Sequence, residues 1–139
     1  MCKKILLPLD LSSKSETAHR QVADLLQFSD GSVILFHVIE TILGLPVESE
    51  QAFFDSLQQS GEAHLHQIGR TFDQHNVRWT MEIKYGKPVA EVVRFAKEND
   101  VDLIVLTAPN FDPENPTVGG ASRSFKVSLL SHCPILLVK

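Results

Sequence analysis

Val101-Asp102-Leu103-Ile104-Val105-Leu106, then the loop Thr107 to Thr117, then Gly119-Gly120-Ala121-Ser122 ahead of a short helix: this stretch decides how the chain is read. A continuous run of branched apolar residues of this length suits a strand buried on both faces of a sheet. Glycines before a helix mark a place where backbone N–H groups and the helix dipole face an anion. A buried strand emptying into such a helix start is the arrangement by which α/β proteins hold phosphates at the carboxyl edge of the sheet.

Working outward, the same alternation recurs along the chain. Ile5-Leu6-Leu7-Pro8-Leu9 is a short apolar run ending at Asp10 and predicts a first buried strand. Ser12 or Ser13 offers an N-cap, and Glu16, three residues after Ser13, completes a capping box for a helix with Ala18, Val22, Leu25 and Leu26 on its apolar side. Asp30-Gly31 is a turn, and Ser32 to Val38 a second buried strand. A long helix follows from about Glu48 to about His75, its apolar face built from Phe54, Leu57, Gly61, Leu65, Ile68 and Phe72. Gly61 and Gly69 lower its intrinsic helix preference. His64 and His66 lie on its polar side, where an i,i+2 pair does not converge on a ligand.

Val77 to Tyr85 alternates apolar with polar residues, the pattern of a half-exposed edge strand. Gly86-Lys87-Pro88 turns into a helix carrying Val89, Val92, Val93 and Ala96, with proline suited to the first helical position. Val101 to Leu106 is then a fourth strand, Ser122 to Ser131 a fourth helix, and Ile135 to Val138 a fifth strand. Strict β-α alternation with no linker and no repeat predicts one domain over residues 1–139, with a parallel sheet covered on both faces by helices in a three-layer α/β/α sandwich.

The bulk composition narrows the function. The chain has 139 residues, 43% hydrophobic and 22% charged, with a formal net charge of −4. A negative field disfavours general nucleic-acid binding or attachment to anionic membranes. No apolar run approaches the ~20 residues of a membrane span. Cys2 and Cys133 form no C-x-x-C pair and no zinc-type cluster, so reduced thiols and a cytoplasmic setting are expected. Phosphate-loop, dinucleotide and nucleophile-elbow motifs are absent. No catalytic residue and no metal ligand set is assigned. Cys133, ahead of Pro134, reads as a packed thiol, and His37 and His132 as packing or surface histidines.

Candidate site residues are those just past the strand ends. Asp10 either accepts from an adenine amino group or ribose hydroxyl, faces a metal through water, or caps the next turn. Ser122 either donates to a phosphate or serves as an N-cap, with Arg123 and Lys126 adding positive charge nearby.

Taken together, Lys4 to Ser12, Phe36-His37-Val38, Gly86-Lys87-Pro88, Asp102 to Leu106 and Cys133-Pro134-Ile135-Leu136-Leu137-Val138 resemble the universal stress protein family over essentially the whole chain. The resemblance implies an adenine nucleotide alpha hydrolase-like fold with strand order 3-2-1-4-5, and a homodimer joined along the last strand, here Ile135 to Val138. It also implies a stress-response or regulatory role. Some members bind ATP through G-x-x-G, nine residues, then G-[ST]; others lack the motif and do not. Here the first two glycines correspond to Thr107 and Asn110. Counting forward places the second pair on Gly120-Ala121, and counting back from Cys133-Pro134 places it on Ala121-Ser122. Pro8, Asp10 and Val38 match the adenosine end.

Those departures have physical consequences. Thr107 puts a branched side chain where glycine lets backbone approach phosphate, whereas Asn110 tolerates the left-handed region. Asp112 and Glu114 add negative charge near an expected triphosphate, and Pro109, Pro113 and Pro116 stiffen the loop. The resulting expectation is a non-enzymatic regulatory homodimer with weak or no ATP binding. The alternative is an ATP- or AMP-binding member with a modified phosphate loop, and a slow ATPase has no general base to support it.

Overall fold

A computed structural model describes residues 3–11, 15–41, 51–108, 114 and 123–139. The elements are β1 (Lys4–Pro8), α1 (Glu16–Leu26), β2 (Ser32–Glu40), α2 (Gln51–Gln74), β3 (Arg78–Gly86), α3 (Pro88–Glu98), β4 (Leu103–Thr107), α4 (Arg123–Leu130) and β5 (Ile135–Val138). Every strand pair is parallel and the sheet runs β3-β2-β1-β4-β5. Both the expected alternation and the expected order are therefore observed.

Side-chain alternation divides the core into two layers. Ile5, Leu7, Val33, Leu35 and Val105 face α1 and α2, meeting Val22, Leu26, Leu65 and Phe72. Leu6, Ile34, Phe36, Ile104 and Leu106 face α3 and α4, meeting Val92, Phe95, Ala96 and Val127. This two-sided burial explains why β1, β2 and β4 are continuous apolar runs. At the edge, Trp79, Met81 and Ile83 of β3 pack on the first layer, while Arg78 and Thr80 are exposed.

Several boundaries differ from the sequence expectation. The first helix begins at Glu16, and the capping-box reading rests on Ser13, outside the described residues. Ser15 stands at the N-cap without a side-chain cap bond, because its hydroxyl is engaged with His19 instead. Ser12 and Ser13 lie outside the described residues. β4 starts at Leu103, because Asp102 turns its carboxylate onto the backbone N–H groups of Lys3 (2.9 Å) and Lys4 (3.3 Å) at the entry to β1. Leu25 is 46% exposed and contributes less to the core than its spacing suggests.

The two glycines of α2 are contacts as well as weak helix formers. The ring of Trp79 lies against Gly69, and Ile83 and His37 lie against Gly61. Gly86 has φ +146°, in the range that favours glycine, at the turn into α3.

Candidate functional site

The carboxyl ends of β2, β1 and β4 lie side by side, with β1 in the middle. This is where the chain changes direction of propagation across the sheet, and a crevice at such a point is the usual ligand site of an open α/β fold. Pro8 ends β1 and Val38 lies two residues before the end of β2; both are half-buried. Val38 packs on the α3/α4 layer. Asp10, two residues past β1, is exposed. Three of the sequence-chosen residues are thus brought to the carboxyl edge of the sheet beside this point.

The backbone at this edge is tightly specified. The N–H of Leu9 donates to the carbonyl of Phe36 at 2.7 Å, extending the β1–β2 ladder past Pro8. Leu11 follows Asp10 with φ 67°, a left-handed conformation that costs a residue with a Cβ about 1–2 kcal/mol. Its side chain packs against the α1/α2 core layer, which offsets that cost. His37 Nδ1 lies 2.7 Å from the carbonyl oxygen of Leu9, where it donates as the Nδ1–H tautomer. His37 thus acts as a clamp between the ends of β1 and β2, a packing role consistent with the sequence reading.

On the far side of the crevice, Thr107 is the last residue of β4. By alternation its side chain points away from the α3/α4 layer that receives Leu106. Its carbonyl is its visible contribution: Ser124 Oγ donates to it at 3.3 Å and fastens the start of α4 to the end of β4. Arg123, the first residue of α4, reaches across to Glu40, the last residue of β2, with Nη2–Oε1 at 2.8 Å. The sequence alone points to neither contact. Each becomes legible once the strand order is known, since β2 and β4 then flank β1 and the charges at their ends face one another. Asn110, Gly120, Ala121 and Ser122 lie outside the described residues.

A second polar feature lies beside the site. Ser15 and His19, both buried, meet Oγ to Nε2 at 2.9 Å. Burial pushes the His19 pKa down, and nearby Glu16 pulls it up more weakly. The folded state therefore holds fewer protons than the unfolded chain, and stability is fully present above the unfolded value of 6.5 and falls as pH drops below it. Urea midpoints measured from pH 7.5 to 5.5 should fall on the acid side and fall less in His19→Gln; equal slopes would remove His19 as the cause.

An open cleft of about 260 Å³ between β3 and α3 is lined by Glu82, Lys84, Glu91 and Arg94, with Phe95 and Glu98. Four of its charges are paired: Lys84 with Glu82 at 3.7 Å, and Arg94 with Glu91. Among the described residues no cluster of His, Cys, Asp or Glu has the makings of a metal site, and no helix is long and apolar enough to cross a membrane. Cys133 is a half-buried free thiol packed on the α3/α4 layer, with Ser131 Oγ 3.4 Å from its sulfur.

Comparison with known proteins agrees with this fold. A universal stress protein of Methanocaldococcus jannaschii is 29% identical over 141 residues, spanning 99% of this chain and 82% of the relative. Among solved structures, the hypothetical protein MJ0577 superposes with a TM-score of 0.84 at 26% identity, over 100% of this chain and 96% of its own. The Archaeoglobus fulgidus universal stress protein, solved in complex with dAMP, shares the fold with a TM-score of 0.73 at 17% identity, each chain covered completely. The family model "Universal stress protein family" matches residues 1–139, and the chain belongs to that family.

Proposed function

We propose that this protein is a non-enzymatic stress-response regulatory module, working as a homodimer, that holds ATP weakly or not at all. The observation that carries this reading is Thr107 at the end of β4, a branched residue where the ATP-binding motif has glycine, and the Arg123–Glu40 ion pair adds to it. The cation at the start of α4 is already neutralised by a carboxylate from the opposite lip of the crevice, which leaves less positive field for a triphosphate. Exposed Glu114 in the intervening loop adds to the negative field.

A second reading, adenine mononucleotide binding, is favoured by the convergence of Pro8, Asp10 and Val38 at the β1–β2 end of the crevice. A single phosphate demands less of the altered loop, and the A. fulgidus relative was solved with a mononucleotide. Calorimetric titration tests both. ATP is expected to bind with a Kd weaker than about 1 mM and AMP about tenfold or more tightly than ATP, with AMP binding lost in Asp10→Ala. Micromolar ATP affinity would overturn the first reading, and AMP binding no tighter than ATP the second. No phosphate release from ATP is expected.

The dimer reading rests on β5. It ends the sheet, so among the described residues no strand lies beside its outer edge, and Leu136 and Leu137 are 37% and 45% exposed. Leu129 and Leu130 of α4 are exposed as well. An apolar open edge of this kind favours pairing with a second copy. Leu136→Lys is expected to give monomer in light scattering with an unchanged circular dichroism spectrum; a dimeric variant would move the interface elsewhere.

A further inference from the structure

We propose that Glu40 and Arg123 form a self-inhibitory latch across the crevice, in which the Glu40 carboxylate occupies the cation that a nucleotide's phosphate must take. This rests on the mononucleotide reading above and adds to it how access to the site is controlled. The argument begins with the sheet. Glu40 ends β2 and Arg123 follows β4, with β1 lying between them. Two interstrand steps of about 4.8 Å separate the strands, so roughly 10 Å must be bridged. A glutamate and an arginine are long enough to do so, and their terminal atoms meet at 2.8 Å. Arg123 is held near the end of β4 by its neighbour Ser124, so the pair joins the ends of the two strands that flank β1, past which Asp10 lies.

Both ends of the bridge are anchored by other contacts. Glu40 is paired in register with Gly86 of β3, and Thr41 N–H donates to the Gly86 carbonyl at 3.4 Å. The start of α4 is tied to β4 by Ser124 Oγ on the Thr107 carbonyl. Opening the latch thus needs only rotation of two side chains, not movement of the sheet or helix.

The two side chains are 60% and 59% exposed, so solvent screens their attraction and the pair is weak. It modulates affinity and does not lock the site. A phosphate offers the guanidinium the same charge-assisted, fork-matched bonds as a carboxylate, with more negative charge, and so displaces it. Until Glu40 swings aside, its own charge also repels the incoming phosphate. A neutral nucleoside meets neither effect. Glu40 thereby sets discrimination between phosphorylated and unphosphorylated ligands.

The test is calorimetric titration of the full-length wild-type protein, Glu40→Gln and Arg123→Gln with AMP and with adenosine. Glu40→Gln is expected to tighten AMP binding about two- to fivefold, the range an exposed ion pair supports. Arg123→Gln should weaken AMP binding, and adenosine should gain nothing from Glu40→Gln. Circular dichroism checks that the variants remain folded, as expected for exposed side chains. If wild type binds AMP and Glu40→Gln binds it no better, the latch is wrong while the mononucleotide reading stands. If neither protein binds AMP, both fall. Binding of AMP by Glu40→Gln where wild type shows none would be the strongest support.

Discussion

Replacing Phe36 with alanine is expected to destabilise the fold by about 3–5 kcal/mol, the range for truncating a fully buried phenylalanine. Phe36 has no exposed surface, sits on the second strand and packs its ring 4.8 Å from that of Phe95 in the α3/α4 layer. Close packing leaves no neighbour free to fill the void. For a domain of this size the melting temperature should fall by roughly 10–20 °C. The site should suffer too, because the Phe36 carbonyl receives the N–H of Leu9 at the lip of the crevice. Phe28→Ala is the control: that ring is 96% exposed, and its loss should change stability by no more than about 0.5 kcal/mol. Chemical denaturation checks both, and a loss below about 1.5 kcal/mol for Phe36→Ala would contradict the packing described.

The second large effect is a penalty for adding one methyl group. In Gly69→Ala the new Cβ would stand 2.2 Å from Cζ2 of Trp79, inside van der Waals contact. The indole is not free to retreat. Its Nε1–H donates to Asp73 Oδ1 at 2.9 Å, its ring meets the edge of His66, and its body packs on the α1/α2 core layer. Alanine improves helix preference by about 1 kcal/mol, while overpacking costs about 1–3 kcal/mol and somewhat more where the obstacle is rigid. The clash wins, and a net loss of about 1–2 kcal/mol is expected. Gly61→Ala makes the contrast, since its nearest obstacle is the flexible Ile83 Cδ1 at 3.3 Å. There the helix gain should nearly cancel the cost. Melting curves of the two variants separate the cases, and a Gly69→Ala protein as stable as wild type would show that the ring moves.

These two predictions mark the limit of what residue types convey. Eight phenylalanines look alike in the sequence. Phe36 is buried because it lies on a central strand covered from both sides, and Phe28 is not because it lies past the end of α1. Gly69 reads as a poor helix former until β3 is seen to place an indole against it.

At the crevice the division is similar. The placement of Pro8, Asp10 and Val38 at the strand ends was legible because the carboxyl ends of buried strands are recognisable from the apolar runs that precede them. The Arg123–Glu40 pair, the Ser124 tie to Thr107 and the His37 clamp on Leu9 were not. Each joins residues 17 to 83 positions apart or brings together strands not adjacent in the chain. Hydrophobic periodicity, local in range, determined by itself the alternation of strands and helices and the edge character of β3, while the resemblance of the motifs at the strand ends pointed to the family. Only the tertiary structure decided that the charges of Glu40 and Arg123 meet, because what lies opposite across a parallel sheet depends on strand order and register. At the start of α1, Ser15 turns its hydroxyl to His19 four residues on, and the burial of that pair comes from the tertiary packing around it.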